Sequence, residues 1–308
     1  MQYLLPRKKN MNKIKFLEIA YLTKIEKANP NASGTEGNIT ILKKTEEIDG
    51  TQRVFVSGAS IKYAIKEYWK SIGWKLSQIK EKSSTTAEET GRQITTECNL
   101  EKYIDDDLLG YMDTSGKKTK KRVAPVKTNG LISVFPYKGD VNRGVRFDPT
   151  GKEQHSLYDI EITTNVMRGN FAIELDRIGC DDEKGKMIIK EDEKKKRIEA
   201  LFEAIFNLWG GGHQTNFLTK LSPEFMVIVG RNDKSLTVAD RLRMDENYNL
   251  DVNVLKEVLD LYRDKIEKVW IGGLRGFVKN WPEVEELKDE KIGVMELSEL
   301  RENLLKEI

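Results

Sequence analysis

The feature that most constrains the fold is the segment at residues 53–72, RVFVSGASIKYAIKEYWKSI. Residues 54–56 are apolar and predict a short strand that ends at Ser57-Gly58, because glycine permits a sharp turn there and a serine hydroxyl can cap a helix. A helix is expected to begin near Ala59 or Ser60. Its apolar residues recur at spacings of three and four, as on a buried helix face: Ile61, Ala64, Ile65, Tyr68 and Ile72.

Lys62 lies in the first turn of this predicted helix. A cation there opposes the positive end of the helix dipole, so its position is better explained if an anion binds at the turn. The Ser57 hydroxyl, the free backbone N–H groups and the lysine would then hold a phosphate. The alternative is an ordinary capped core helix with a solvated lysine stripe.

Charge is unevenly distributed along the 308-residue chain, although the formal net charge is only +2. Residues 117–146 contain nine basic residues and one acid, whereas residues 245–308 contain sixteen acids and ten bases. Net charge therefore gives no global argument for nucleic acid, but a basic middle and an acidic C-terminal end are expected to polarise the surface.

The two cysteines, Cys98 and Cys180, have no metal-binding spacing, which is typical of reduced thiols in a cytoplasmic protein. No apolar run reaches the length of a membrane span, and the N-terminal MQYLLPRKKN lacks the apolar core of a signal peptide. We therefore expect a cytoplasmic protein with no membrane partner.

The order of predicted elements is strand, helix, strands, helix, strand. The strands are expected at residues 13–27, 39–44, 54–56, 122–135, 157–178 with an interruption at 167–169, and 225–229, and the second helix at 193–209. This order predicts an α+β fold, a split βαβ or ferredoxin-like (RRM-like) palm in a single domain spanning residues 1–308. Insertions are expected at about 74–121 (fingers, helical) and 137–168 (thumb hairpin), followed by an acidic helical region at 245–308 with a helix at 253–270.

Residues with catalytic or metal-binding chemistry are few. There is no Walker, GxSxG or HExxH motif, and the only histidines are His155 and His213. Residues 105–107 are three aspartates, which predict a solvated helix start rather than a metal site because consecutive helical side chains diverge. Met167 could insert between bases as an apolar wedge while Arg168 binds a phosphate. The alternative is that Met167 fills the hydrophobic core.

Five patches together resemble the backbone subunits of type I CRISPR effector (Cascade) complexes, in the RAMP superfamily, and in particular the DevR-like autoregulator group of type I-B systems. The patches span most of residues 29–217 and read NPNASGTEGNIT, VFVSGASIKYAIKEYW, DDDLLGYM, KRVAPVKTNGLISV and GGGHQTNF. The resemblance implies an RNA-recognition-like palm with inserted fingers and a thumb, and several copies stacked as a filament along one guide RNA (crRNA).

The resemblance also implies which residues contact the guide. The residues assigned to guide phosphates are Ser57, Gly58, Ser60 and Lys62. The residues in a loop that approaches the RNA or the next subunit are Asn29, Asn31 and Asn38. The thumb residues are Met167 and Arg168. The residues of the glycine-rich loop are Gly211, Gly212, His213 and Gln214. The remaining predicted RNA-binding residues are Lys66, Lys127, Arg143 and Arg146. The thumb could instead begin at residues 143–146, and both placements stay open.

The function implied is that of a non-catalytic subunit of an antiviral ribonucleoprotein, which holds the guide backbone while the bases pair with target DNA. Its expected partners are crRNA, target DNA through the guide, other copies of itself and other Cascade subunits, with no cofactor and no metal. Relatives in type III complexes cut RNA with an aspartate in the first loop, and no aspartate occurs here between residues 21 and 44. The alternatives are a guide-processing endoribonuclease using His213 or His155, and an interaction subunit without RNA contact.

Overall fold

The computed structural model describes residues 14–83, 92–114, 119–146, 150–151, 156–210 and 216–307. The helices in these ranges are α1 (Gly58–Ser71), α2 (Ile104–Leu109), α3 (Glu191–Phe206), α4 (Val252–Leu261), α5 (Trp281–Glu285) and α6 (Leu297–Glu307). The strands are β1 (Phe16–Ala28), β2 (Ala32–Glu36), β3 (Ile39–Leu42), β4 (Lys44–Glu46), β5 (Gln52–Ser57), β6 (Lys80–Ser83), β7 (Arg92–Thr95), β8 (Tyr111–Asp113), β9 (Lys120–Arg122), β10 (Val126–Ser133), β11 (Val141–Arg146), β12 (Ser156–Glu161), β13 (Thr163–Glu174), β14 (Cys180–Asp181), β15 (Lys186–Met187), β16 (Phe225–Arg231), β17 (Ile266–Gly273) and β18 (Ile292–Glu296). The predicted α+β class is confirmed.

The largest sheet has the strand order β18-β17-β16-β1-β13-β10-β5-β4. Its long central strand β1 is antiparallel to both neighbours, with Tyr21 opposite Gly169 on β13 and opposite Met226 on β16. Tyr21 also stacks on Phe171, with ring centroids 6.0 Å apart. The sheet therefore carries buried side chains on both faces near its centre, which explains why β1 and β16 are almost entirely buried.

One face of this sheet packs against α1 and α3. The predicted apolar face of α1 is confirmed, since Ile61, Ala64 and Ile65 are buried in the core. Trp69 is also completely buried, and its indole N–H donates to the Ala200 carbonyl of α3 at 2.9 Å. The two helices are thus fixed to each other as well as to the sheet.

The other face is covered in part by the C-terminal region. A second cluster of buried residues joins Ala20 and Leu22 of β1 to α4, α5 and the segment at 238–252. The predicted helix at 253–270 is wrong beyond Leu261, because residues 266–273 form β17 within the main sheet. Residues 269–271 are buried in β17, and a short apolar run of this kind suits either a buried strand or a helix.

A smaller sheet, with the order β11-β12-β3-β2, stands beside the main one. Its β11–β12 hairpin pairs Arg143 with Asp159, and β12 runs parallel to β3. The next strand, β13, continues without a break from Thr163 to Glu174, so the predicted interruption at 167–169 is wrong. The two strands of the hairpin are Val141–Arg146 and Ser156–Glu161.

The three consecutive aspartates are buried rather than solvated, which corrects the sequence interpretation. Asp107 binds Arg122 Nη2 at 2.5 Å and Arg197 Nη1 at 2.8 Å, and it accepts the Gly179 amide at 3.0 Å. Its partners lie 15 to 90 residues away along the chain, so no local pattern revealed them. Buried carboxylates are tolerated when they are paired in this way.

We expect the isosteric substitution Asp107→Asn to lower the free energy of unfolding by about 3–5 kcal/mol, because it removes the buried anion that two buried guanidinium groups share. Arg197 and Arg122 would keep only the more exposed carboxylates of Glu193, at 3.0 Å, and Asp182, at 3.5 Å. Urea unfolding followed by circular dichroism measures this change. The matched control is Asp264→Asn, an exposed surface partner of Lys265, with an expected change of about 0–1 kcal/mol. Equal changes in the two variants would contradict a stabilising role for the Asp107 cluster.

Candidate nucleic-acid interface

The turn between β5 and α1 is capped as the sequence predicts. The Ser57 hydroxyl accepts the Ser60 amide at 3.3 Å, and the Ser57 amide donates to Asn31 Oδ1 at 2.9 Å. The first N–H groups of a helix have no partner within it, and in the part of the chain that the structure describes no acceptor bonds those of Gly58 and Ala59. The first turn of α1 contains no acid. The turn is therefore suited to accept an anion.

Two glycines bring β10 against this turn. A Cβ atom on Gly58 would lie 2.4 Å from the Thr128 carbonyl oxygen, and one on Gly130 would lie 1.8 Å from the Val56 carbonyl oxygen. Gly130 also has φ of +93°, a conformation that favours glycine. The register of β10 against β13 shifts between Lys127 and Gly130, so residues 128–129 form an irregular segment beside the start of α1.

The two lysines of α1 differ in their surroundings. Lys66 forms an ion pair with Asp105 at 2.9 Å, so its charge already has a partner. Lys62 is half-buried, and no acidic side chain in the described ranges pairs with it. Burial, and then the neighbouring charge of Lys66, lower the pKa of Lys62. An anion at the turn would relieve both effects, because it would stabilise the protonated ammonium.

The three predicted asparagines have different environments. Asn29 is completely buried, and its Nδ2 donates to the Glu161 carbonyl at 3.0 Å. Asn31 holds the Ser57 amide, which makes it a support for the turn. Asn38 is exposed, and its carbonyl accepts the Asp159 amide at 3.1 Å, joining β12 to the loop before β3.

Met167 and Arg168 lie on opposite faces of β13. Met167 is completely buried in the core between β1 and β10, so the core-filling alternative applies and the predicted contact of this side chain with RNA is incorrect. Arg168 is half-buried on the other face, where Nη1 donates to the carbonyls of Asp240 at 2.8 Å and Leu242 at 3.3 Å. Burial lowers its pKa.

The other predicted basic residues are distributed over different surfaces. Lys127 is exposed beside Glu174, and burial, followed by the charges of Arg177 and Lys234, lowers its pKa. Arg143 forms a two-pronged pair with Asp159, at 2.8 and 3.0 Å, which raises the pKa of the arginine. Arg146 ends β11, opposite Ser156.

Gly211, Gly212, His213, Gln214 and His155 lie outside the described residues, so their predicted roles stay predictions. Trp209, which precedes this loop, forms an isolated antiparallel β-bridge with Lys220, and its side chain is exposed. Within the described ranges, no group of three or more His, Cys, Asp or Glu side chains is arranged to hold a metal ion. The helices of the same ranges include none with the length and apolar character that crossing a membrane requires.

The sequence analysis did not single out Asn129 and Asn170. They belong to β10 and β13, and Asn170 Oδ1 lies 3.5 Å from the Asn129 amide. Both line a groove on the sheet face opposite α1 and α3. Residues 129–130 are Asn-Gly, a dipeptide typical of turns, which was the one local signal of irregular backbone here.

A family model described as "CRISPR-associated negative auto-regulator DevR/Csa2" matches residues 24–252, which is most of the chain. The chain belongs to the DevR/Csa2 family. This membership confirms the resemblance found in the sequence.

Similarity to individual proteins agrees with membership of the DevR/Csa2 family. A curated relative from Myxococcus xanthus (strain DK1622), described as "CRISPR-associated protein Cas7/Cst2/DevR", is 27% identical over 187 residues. That alignment covers 48% of this chain and 58% of the relative, so the chain spans less than two thirds of the relative's length.

Two solved structures have a similar fold over nearly the whole chain. A chain of a "CRISPR RNA-guided surveillance complex, pre-nicking" gives a TM-score of 0.62 at 11% identity, covering 94% of this chain and 99% of that one. A chain of a "CRISPR RNA-guided surveillance complex" gives 0.55 at 14% identity, covering 94% and 98%. At these identities the likeness concerns the fold.

The close approach at Gly130 is testable with a matched glycine. Gly130→Ala and Gly73→Ala both place alanine at positive φ, +93° and +90°, but only Gly130 has atoms within 4 Å of the new Cβ. We expect Gly73→Ala to cost about 1–2 kcal/mol of unfolding free energy, and Gly130→Ala about 1–3 kcal/mol more because of the overpacking. Urea unfolding measures both variants. Equal losses would argue against tight packing of β10 on the turn.

Proposed function

We propose that this DevR/Csa2 family member is a non-catalytic backbone subunit that binds the guide RNA of a Cascade-type surveillance complex in antiviral defence. Several copies stack along the guide and hold its phosphates, so that the bases stay free to pair with target DNA. Its partners are the guide, the target DNA through it, other copies of the chain and other subunits, in the cytoplasm. Family membership and the fold shared with chains of RNA-guided complexes support this proposal.

The observation that carries the proposal is the start of α1. A serine cap, a first turn without an acid and the half-buried Lys62 converge there, and within the described residues neither the first amides of the helix nor the Lys62 ammonium has an acidic partner. These groups recognise phosphate and carry no sequence information, as a subunit that must accept any guide sequence requires. Ser57, Gly58, Ser60 and Lys62 would contact the phosphates, and Asn31 would hold the turn in place.

The palm of this subunit is proposed to be ferredoxin-like. Four strands lie in the order β16-β1-β13-β10, and each is antiparallel to its neighbours. Along the chain, α1 comes between β1 and β10, and α3 comes between β13 and β16. This arrangement supports a split βαβ core. The region at 74–121 would then form the fingers, and the 137–168 region, with its β11–β12 hairpin, the thumb.

The acidic C-terminal region is proposed to face away from the guide or to dock on the basic side of a neighbouring copy. Glu283, Glu286 and Glu290 are exposed on and after α5, which suits either role. Charge balance supports this proposal, because acids outnumber bases after residue 244 and bases dominate residues 117–146.

Lys62→Ala is the direct test of the phosphate site. We expect weaker binding to several unrelated RNA sequences, and a slope of log affinity against log salt that falls by about 0.7, because one phosphate contact is lost. Fluorescence anisotropy across a salt series measures both quantities. Lys70→Ala, an exposed lysine in the last turn of the same helix, is the matched control and should change little.

The outcome that would contradict the site is an unchanged affinity and slope in Lys62→Ala. Lys66→Ala is a poorer test, because it leaves the buried Asp105 without its cation and lowers stability as well.

Incubation with repeat RNA separates this function from a guide-processing endoribonuclease. We expect the wild-type chain to bind the RNA without cutting it, as a subunit that only holds its guide would. Denaturing gel electrophoresis detects cleavage. Cutting that disappears in His213→Ala or His155→Ala would replace the proposed function with the enzymatic one.

A further inference from the structure

A trough crosses the face of the main sheet opposite α1 and α3. It consists of two adjoining cavities of about 380 and 320 Å³, which share Asn129, Asn170 and Ala239. One cavity extends to Thr45, Phe55 and Arg168, and the other to Lys127 and Leu236. Each volume falls within the range of about 300–1,000 Å³ that is typical of small-molecule sites.

The wall of the trough is held firmly in place. Glu18, buried on β1, accepts the backbone amides of Thr237, Val238 and Ala239 at 2.5, 2.8 and 2.6 Å. Arg168 binds the carbonyls that follow in the same segment. A segment fixed by this many buried bonds gives the trough a preformed shape, which lowers the entropic cost of binding.

The lining combines an apolar surface with polar groups. Phe55 is half-buried in the trough, and the Lys43 ammonium lies 5.7 Å from the centre of its ring. Asn129 contributes an exposed side-chain amide. The Asn170 side chain makes two long bonds within the protein: its Nδ2 donates to the Ala239 carbonyl at 3.4 Å, and its Oδ1 accepts the Asn129 backbone amide at 3.5 Å. Within the described residues, Arg168 uses only Nη1 for its bonds, which leaves Nη2 and Nε to bind a ligand. Asp240 is the acid that lines the trough, and its backbone carbonyl is already bonded to Arg168.

The trough adjoins the start of α1. Thr128 and Asn129, whose backbone lies against Gly58, are also part of its lining. The start of α1 and the trough thus meet at residues 128–129, although α1 packs on the opposite face of the sheet.

We propose that this trough binds one or two nucleotides of single-stranded RNA next to the phosphates held at α1. A base that enters the trough lies against Phe55, with its polar edge bonded by the Asn129 side chain, and Arg168 binds phosphate or base. That base is withheld from pairing with target DNA, whereas the bases outside the trough stay free to pair. The inference rests on the proposed function, because it takes the guide as the strand that enters.

The lining favours a nucleotide over a peptide. A peptide that extends the sheet needs a strand with free backbone groups, and residues 130–132 of β10 are already paired on both sides, with β5 and β13. Beside the aliphatic residues Leu131, Ile132 and Leu236, the trough has amide, guanidinium and aromatic side chains, which suit a flat ring with hydrogen-bonding edges.

Photo-crosslinking maps the trough directly. Single-stranded RNA with 4-thiouridine at scattered positions is bound to the full chain and irradiated, and crosslinked peptides are identified by mass spectrometry. We expect crosslinks in residues 127–132 or 168–172 and at Phe55, besides residues 57–66. Crosslinks at 57–66 alone would overturn the trough while leaving the proposed function intact, and an absence of RNA binding would overturn both.

A second crosslinking experiment adds a complementary DNA strand that contains 4-thiothymidine to the same RNA. If the trough residues crosslink only to the DNA and not to the RNA, the proposal that the trough binds the guide is overturned.

The variant Asn129→Asp tests the trough by RNA affinity, independently of crosslinking, at an exposed residue. We expect its added charge to weaken RNA binding about threefold, as for an anion several ångströms away in a solvated groove. Asn253→Asp, in an exposed residue of α4, is the matched control and should bind as the wild type does. Equal affinity for the two variants would overturn the proposal.

Discussion

The buried carboxylate of Asp107 is the interaction on which the packing of α2 and α3 against the main sheet depends. It joins α2 to Arg122 at the end of β9, to Arg197 of α3 and to the backbone at Gly179, four segments distant in sequence. The neighbouring Asp105 extends the cluster to Lys66 on α1. Because buried charges require their partners, α1, α2 and α3 adopt their positions together.

This coupling has a consequence for the candidate interface. Lys66 is committed to Asp105, which leaves Lys62, one turn nearer the start of α1, as the cation without a described acidic partner. Lys66 thus contributes to the stability of the fold, and the proposed phosphate contact falls to Lys62, one turn away on the same helix. The turn itself is supported from the other side, because Asn31 holds Ser57 and the irregular segment of β10 lies against Gly58.

Local pattern was sufficient to predict α1, its cap and the strands β1 and β16, since each depends on spacing within the element. It was insufficient where the deciding partner is remote. The burial of residues 105–107 depends on arginines up to 90 residues away, and the trough combines side chains from β5, β10 and β13. Met167 and Arg168 are adjacent in sequence, yet a strand places them on opposite faces, one in the core and one in the trough.

Hydrogen–deuterium exchange with and without guide RNA is the measurement that tests the phosphate site at α1 most directly. The amides of Gly58 and Ala59 would bond RNA phosphates, so their exchange should slow markedly when RNA is bound, while the amides at the C-terminal end of α1 exchange as before. Slowing elsewhere in the chain, with no change at residues 58–59, would contradict a guide held at the start of this helix.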